Sequence, residues 1–582
     1  MEGTTNMCRS ARIPWIAGVA AGIFLLASTL VYKTYGQPQS GDPSFQHVLL
    51  ISIDGMHAVD FINCAQGGYC PNLTALGQTG VNYVNTSTSR PSDSFPGLMA
   101  IVTGGSPRTV GAFYDVAYDR SLDPPALTTG NGVASGPCTP FGTPSGTTTE
   151  FDEGVDINQT LLNGGAPPGV DGGIASIDYR RLERDPAHGC APVFPWNFLR
   201  TNTIFGVIHA AGGYTAWADK HPSYSSVSGP GNGTNVNDYY SPEVNSVPVN
   251  LPGVTGCDPL PDSSAISSSN AWTDSFANIR CYDQLKVNAV LNEISGKTHN
   301  GLHSAPRPAI FGMNFQAVSV GEKLIEKTLS PKVYGGYLDS IGTPTPALQG
   351  EIEYVDGAIG SMVTALQENG IYDNTLMIIT AKHGQSPVDS ARYLGISNST
   401  GDPITTSPAT ILANAGCLPY SESPLNPSGI GPTEDDVSLI WLNSSCTTAS
   451  AVSLLRSNSP TTSNIAGIGE IFSGPILETY FNAPGLPPND PRTPDILVTP
   501  NIGVTYSGST KKLAEHGGFS RDDTNVILLV ANPSFQANTV TTAVQTAQIA
   551  PTILAALGLN PNALEAVQIE NTQLLPGLPG GL

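Results

Sequence analysis

Asp54, Ser94, Lys382, His383 and His516 are the residues of this 582-residue chain whose types and neighbours best suit hydrolytic chemistry. Asp54-Gly55 ends the apolar run 47–53 (HVLLISI). Lys382, His383 and Gly384 follow a second run at 376–381, and Glu515-His516-Gly517-Gly518 precedes a third at 525–530. Ser94 sits in Ser92-Asp93-Ser94-Phe95-Pro96-Gly97, ahead of an apolar stretch to 103 that reads as a helix. A hydroxyl at a helix N-terminus has its developing alkoxide favoured by the helix dipole and the free N–H groups. A carboxylate, two imidazoles and a hydroxyl are a suitable set for binding Zn2+ and activating a hydroxyl nucleophile. Alone, each has a plainer reading: Asp-Gly as a turn, Ser as an N-cap, a single His as a core residue. Their joint placement at strand ends is what points to a site, because chemistry gathers at the carboxyl ends of strands in open α/β sheets.

Those residues need a sheet to position them. Runs at 47–53, 205–211, 309–315, 376–380, 495–498 and 525–530 read as strands. Between them, 71–78, 95–103, 345–369 and 549–557 read as helices. The third has Leu348, Ile352, Val355, Ile359, Met362, Val363 and Leu366 at helical spacing and Gly370 as its stop. Strands alternating with helices predict a mostly parallel sheet covered on both faces. Polar, Gly/Ser/Thr-rich stretches near 120–200, 218–285 and 390–475 read as surface insertions. Trp217-Ala218-Asp219-Lys220-His221 follows the 205–211 run and a Gly-Gly turn. It is placed either to line a cleft, with Lys220 or His221 on an anionic leaving group, or to be a polar loop. The last residues, 574–582, read as a loose tail.

Charged residues make up only 12% of the chain and the net charge is −22, while 40% hydrophobic content is enough for a large core. An acidic surface repels phosphate backbones and argues against a nucleic-acid-coating role, although a local cationic site can still hold a small anionic ester. Residues 13–32 are expected to be a transmembrane signal anchor or a signal peptide, between a cytosolic N-terminus (1–12) and a linker (33–45). Either reading puts residues 46–560, the main domain, outside the cytosol, followed by a tail at 561–582. Cys64, Cys70, Cys138, Cys190, Cys257, Cys281, Cys417 and Cys446 form an even set that suits disulfides in an exported domain. Sequential pairing would close four loops, each inside an insertion, with other connectivities open. Sequons at Asn72, Asn85, Asn158, Asn232, Asn398 and Asn443 fit a glycoprotein.

The ordered segments ISIDG (51–55), SFPGLMAIVTG (94–104), VDGAIG (355–360), NTLMIITAKHG (374–384), EHGGF (515–519) and IAPTILAALGL (549–559) resemble the alkaline-phosphatase superfamily. Within it, they resemble the type I phosphodiesterases and nucleotide pyrophosphatases. The resemblance spans roughly 46–560 without the insertions. It implies a three-layer α/β/α sandwich with two zinc ions at the strand ends. It maps Asp54, His383 and His516 onto metal ligands, and Ser94 onto the nucleophile, itself a ligand. The implied chemistry is in-line attack by Ser94 on phosphorus through a covalent phospho-Ser.

The chain departs from that pattern. Lys382 stands where the family has Asp. In NFQAVSVGEK (314–323), Gln316 takes the place of an Asp and Val320 that of a His, or, on a shifted alignment, Glu322 substitutes. Gly97 replaces an Asn that would contact the phosphoryl group. A Lys382 ammonium ~4 Å from a Zn2+ would repel it by roughly 8 kcal/mol at an effective dielectric of about 20. Lys382 therefore points away, or is neutralised by burial, or stands in for a metal, paired with Asp54 and aimed at a phosphate oxygen as a catalytic group. At most one tightly held Zn2+, or another divalent ion, is expected. Asp93 and Glu515 flank the site, either as sources of negative charge or as exposed neighbours. Two readings stand: an extracytoplasmic hydrolase of phosphate diesters, pyrophosphates or related phosphorus or sulfate esters, and a non-catalytic surface or secreted glycoprotein that retains the fold. Oligomeric state is not legible.

Overall fold

The 47–53 run is apolar on both faces, as a strand covered by helices on both sides must be. In the computed structural model it forms β1 (His47–Ile53), buried throughout. Val48 and Leu50 enter one core and Leu49, Ile51 and Ile53 the other. The structure describes residues 44–129, 132–150, 174, 177–244, 260–265, 272–396, 407–420, 433–457, 467–484, 490–507 and 511–579. The expected anchor at 13–32, Cys257 and the sequons at Asn158 and Asn398 lie outside these. Among the described residues no helix is long and apolar enough to cross a membrane.

The other strands of the two larger sheets are β2 (Gly80–Tyr83), β3 (Ala216–Ala218), β4 (Asp238–Tyr240), β5 (Ile310–Phe315), β6 (Thr375–Thr380), β7 (Thr433–Glu434), β8 (Ser438–Ile440), β9 (Ile468–Ser473), β10 (Ile496–Pro500), β11 (Leu528–Ala531) and β12 (Asn538–Val540). Seven of them join β1 in the central sheet, in the order β12-β2-β11-β6-β1-β5-β3-β4. All neighbours are parallel except β11, which runs antiparallel to β6 and β2. One face carries α1 (Ala58–Gly67), α2 (Pro71–Gln78), α5 (Phe276–Ile294), α6 (Ala317–Lys323) and α7 (Pro346–Glu368). The other carries α3 (Ser94–Thr103), α4 (Ile204–Ala210) and α10 (Ile549–Ala556). This is the mostly parallel α/β architecture expected. Helix α7 begins as its sequence indicates: the Thr345 hydroxyl accepts from Leu348 N–H at 3.3 Å. It is followed by Gly370 in the left-handed region, at φ 67°.

Several expectations need correction. Residues 205–211 are not a strand. Thr203 caps a helix there, and Ile204, Phe205, Val207 and Ile208 are buried along it. A short apolar run fits either period, and the cap decides. The strand at this place is β3, so Asp219 and Lys220 follow a strand end directly. The run near 495–498 does form a strand, β10, but outside the central sheet. It joins the antiparallel order β7-β8-β10-β9. Ile440, Ile496 and Val498 pack there against helices α8 (Pro408–Asn414) and α9 (Thr448–Ser457). The 390–475 stretch thus has its own core. The 218–285 stretch supplies edge strand β4 and the start of α5. At 574–582, Leu575 and Leu578 are buried in the main core instead of forming a loose tail.

Among the described residues, three sequential disulfides are seen: Cys64–Cys70, Cys138–Cys190 and Cys417–Cys446. The first joins α1 to α2 and lies in the core, not in an insertion.

Candidate functional site

Four adjacent parallel strands, β6-β1-β5-β3, end on one edge of the sheet. Register places Ser52 opposite both Asn314 and Thr380, and Met313 opposite Ala218. The residues that follow are therefore brought side by side: Lys382 and His383 after β6, Asp54 after β1, Gln316 after β5, Asp219 and Lys220 after β3. Asn314 is the penultimate residue of β5.

Ser94 is the first residue of α3, and the cap is its neighbour. The Asp93 carboxylate accepts from the N–H groups of Phe95 and Asp115, at 3.3 and 3.0 Å. The Ser94 hydroxyl is thereby left for other partners. Its Oγ lies 3.0 Å from His383 Nε2 and accepts from Lys220 Nζ at 2.9 Å. His383 Nδ1 lies 2.9 Å from the Gly384 carbonyl, which can only accept. Nδ1 therefore carries a proton, and in the neutral ring Nε2 presents a lone pair to the serine hydroxyl. Burial lowers the His383 pKa, and the neighbouring His516 lowers it further. The arrangement is a serine hydroxyl donating to an imidazole base while an ammonium donates to its oxygen.

Asp54 lies behind these groups, fully buried. Asn314 and Gln316 side-chain amides donate to its two oxygens, each at 2.7 Å. His383 Nε2 and Lys220 Nζ both lie 3.6 Å from Oδ2. Burial alone would raise its pKa, but Lys382, His383 and Lys220 outweigh that and hold it well below the carboxylate range. The His516 ring lies over His383, centroids 4.1 Å apart, with Nδ1 3.0 Å from Asp93 Oδ1. Burial pushes Asp93 up, and His516 and His383 more than reverse it.

Lys382 does not pair with Asp54. Its ammonium donates to Asp219 Oδ1 at 2.8 Å and sits 4.0 Å from the Tyr224 ring centroid. Asp219 is held in turn by Trp217 Nε1 at 2.9 Å. His221 turns away from Ser94 to Glu243, at 2.8 Å. Asp219, Asn314 and Tyr224 were missed in the sequence. The first two had a signal in their strand ends, whereas Tyr224 had none. Glu322 stands in a separate buried group with His57 and Asp60, whose ligand atoms lie within 4.8 Å of one another. His57 Nδ1 faces Tyr337 Oη, Glu322 and Asp60 at 2.8, 3.2 and 3.3 Å, and Nε2 lies 2.8 Å from the Asp522 carbonyl. Burial disfavours the imidazolium, but the two carboxylates win and raise its pKa well above the ordinary value. Proton donors already fill this group.

The resemblance implies a divalent metal, and the residues fit it poorly. Of the candidate ligands, Asp54, Ser94 and His383 converge, but they converge on the Lys220 ammonium. Gln316 presents an N–H to Asp54, not an oxygen to a cation. Gly97 cannot be the missing Asn for a steric reason: a Cβ there would lie 2.1 Å from the Lys382 carbonyl oxygen.

A family model described as type I phosphodiesterase / nucleotide pyrophosphatase matches residues 48–152 and 333–407. These hold Asp54, Ser94, Lys382 and His383, but not Lys220, Gln316 or His516. No curated protein matches the chain. Among solved structures, murine ectonucleotide pyrophosphatase/phosphodiesterase 5, as an inactive form in complex with AMP, is 14% identical with a TM-score of 0.50, over 89% of this chain and 96% of that one. A second murine structure gives the same values. The human counterpart is 13% identical with a TM-score of 0.47, over 88% and 96%. The likeness to these structures is one of fold. In family model and fold, the chain is similar to phosphodiesterase-like hydrolases.

Proposed function

We propose that the chain hydrolyses phosphate diester or pyrophosphate bonds of a small anionic ester outside the cytosol, with Ser94 as nucleophile and His383 as its base. One observation carries the reading: Ser94 Oγ lies between His383 Nε2 at 3.0 Å and Lys220 Nζ at 2.9 Å. In the first half-reaction Oγ attacks phosphorus and its proton passes to Nε2. The bond from phosphorus to the leaving oxygen breaks, and that group departs as an oxyanion. In the second, water attacks from the vacated side and its proton goes to the departed oxyanion. The Oγ–P bond breaks, and Ser94 recovers its proton from His383. Ser94, Asp54 and His383 are fully buried, whereas Lys220, His516 and Gln316 beside them keep slight exposure, 7–8%. These three mark the side from which substrate approaches. The three disulfides support an oxidising, extracytoplasmic compartment.

The test is turnover of a chromogenic phosphodiester by the purified chain and by Ser94→Ala and His383→Ala. The serine variant should lose at least about 1000-fold in kcat, and the histidine variant about 100-fold or more. Equal turnover by wild type and Ser94→Ala would remove Ser94 from the mechanism. Absence of turnover in every form, across monoesters, diesters and sulfates, would favour the non-catalytic reading.

A further inference from the structure

We infer that the Lys220 ammonium occupies the place of a divalent cation beside Ser94, so that this site works without a bound metal. The inference rests on the reading of Ser94 as nucleophile. A cation serving this serine would have to lie where Oγ, the Asp54 carboxylate and the His383 ring converge. Lys220 Nζ is already there, 2.9 Å from Ser94 Oγ and 3.6 Å from Asp54 Oδ2. The lysine is held from its backbone: its N–H donates to Asp219 Oδ1 at 2.8 Å, and its carbonyl accepts from Val244 N–H at 3.0 Å.

The rest of the pocket is adapted to a monovalent cation. Both Asp54 oxygens accept amide N–H groups, from Asn314 and Gln316. Those donors take up acceptor capacity that a dication would need. The residue before His383 is itself a cation, Lys382, paired with Asp219. Deeper still, Lys286 faces Asp283 at 3.0 Å, both fully buried. Lys382, Asp54, Asp219 and Lys220 thus mix ammonium groups with carboxylates at the strand ends, and the Lys286–Asp283 pair of α5 adds another. An ammonium can polarise a serine oxygen and stabilise charge developing on a phosphoryl oxygen, with less field than a dication.

The experiment uses the purified full chain, dialysed against a chelator. Zn2+ is then titrated into wild type, Asp54→Asn, Lys220→Met and Lys220→Arg, with calorimetry and melting temperature as readouts and chromogenic diester turnover alongside. Wild type should bind no Zn2+ that Asp54→Asn removes, and its turnover should survive chelation. Lys220→Met should lose about 100-fold in turnover and gain a Zn2+-dependent rise in melting temperature, because Asp54, Ser94 and His383 are then open to a metal. Lys220→Arg, which keeps the charge, should not gain it. If Lys220→Met fails to fold, Lys220→Gln replaces it. Tight Zn2+ binding by wild type that Asp54→Asn abolishes would overturn the inference. So would a Lys220→Met protein that folds and gains no Zn2+ binding. If no form turns over substrate, the metal titration still decides this point while the proposed function falls.

Discussion

At the scale of single residues, Gly97 shows how closely helix α3, which begins with Ser94, is set against the loop after β6. A Cβ at this position would lie 2.1 Å from the Lys382 carbonyl oxygen and 2.8 Å from its carbon. The neighbour is backbone, so it cannot swing away, and either α3 or the Lys382–His383 loop must move. Gly97→Ala should therefore destabilise the protein by about 2 kcal/mol and lower kcat, since the shift separates Ser94 from His383; thermal melts and diester turnover report the two effects. Asp54, Ser94, His383 and His516 were legible in the sequence because each sits beside a strong local signal, a strand end or a helix start. Their convergence was legible only through the resemblance. Lys220 was legible only as one of two side chains that either line a cleft or belong to a polar loop, because the strand directly before it, β3, is three residues long. The partner of Lys382 was not legible at all: Asp219 lies 163 residues away in sequence, and only the order of β6, β1, β5 and β3 brings the two together.

At the scale of elements, the His57 group ties together pieces that hold the His383 loop. His57 precedes α1, Asp60 lies in its first turn, Glu322 comes from α6, and Gln385 lies two residues after His383. Gln385 Nε2 donates to Glu322 Oε2 at 2.6 Å, and Tyr337 Oη donates to Glu322 Oε1 at 2.7 Å. Removing the imidazolium strands two buried carboxylates. His57→Ala should cost about 3 kcal/mol of stability, and adding Glu322→Gln should return part of it, as a double-mutant cycle by denaturant unfolding would show. The His57 pKa is raised on folding, so its contribution is complete below the ordinary imidazole value of about 6.5 and fades as pH rises through the folded value. The gap between wild type and His57→Ala should accordingly narrow at alkaline pH; a constant gap would contradict the charged pairing. Strand β1 and helix α7 were readable because their periods are long and their ends well marked. The 204–210 segment was not, because seven residues carry too few repeats to separate a helix from a strand. The outer sheet was hidden for another reason: β8 is three residues long and pairs with β10 far along the chain, Ile440 opposite Ile496.

At the scale of the molecule, a buried site that presents one ammonium beside its serine, Lys220, sits in a strongly acidic protein. The chain bears 25 basic and 47 acidic residues, a net −22, yet Lys220 sits at the only slightly exposed edge of the pocket beside His516 and Gln316. An anionic ester approaching from solution meets the whole charge first and the ammonium last. How much of each it feels depends on screening. The Debye length is about 30 Å at 0.01 M salt and about 10 Å at 0.1 M. At the lower value the acidic surface repels the substrate over a distance comparable to the molecule. At the higher value that repulsion is cut off, while Lys220, in contact range and shielded from solvent, is barely affected. kcat/KM for an anionic diester should therefore rise with added salt from 0.01 to 0.1 M, a range chosen on those screening lengths, with kcat unchanged because the bound complex is screened little. A salt that binds no phosphate site, such as sodium chloride, is the appropriate titrant. If kcat/KM instead falls as salt is added, local lysines already dominate the field at long range. The acidic surface would then have no part in governing encounter.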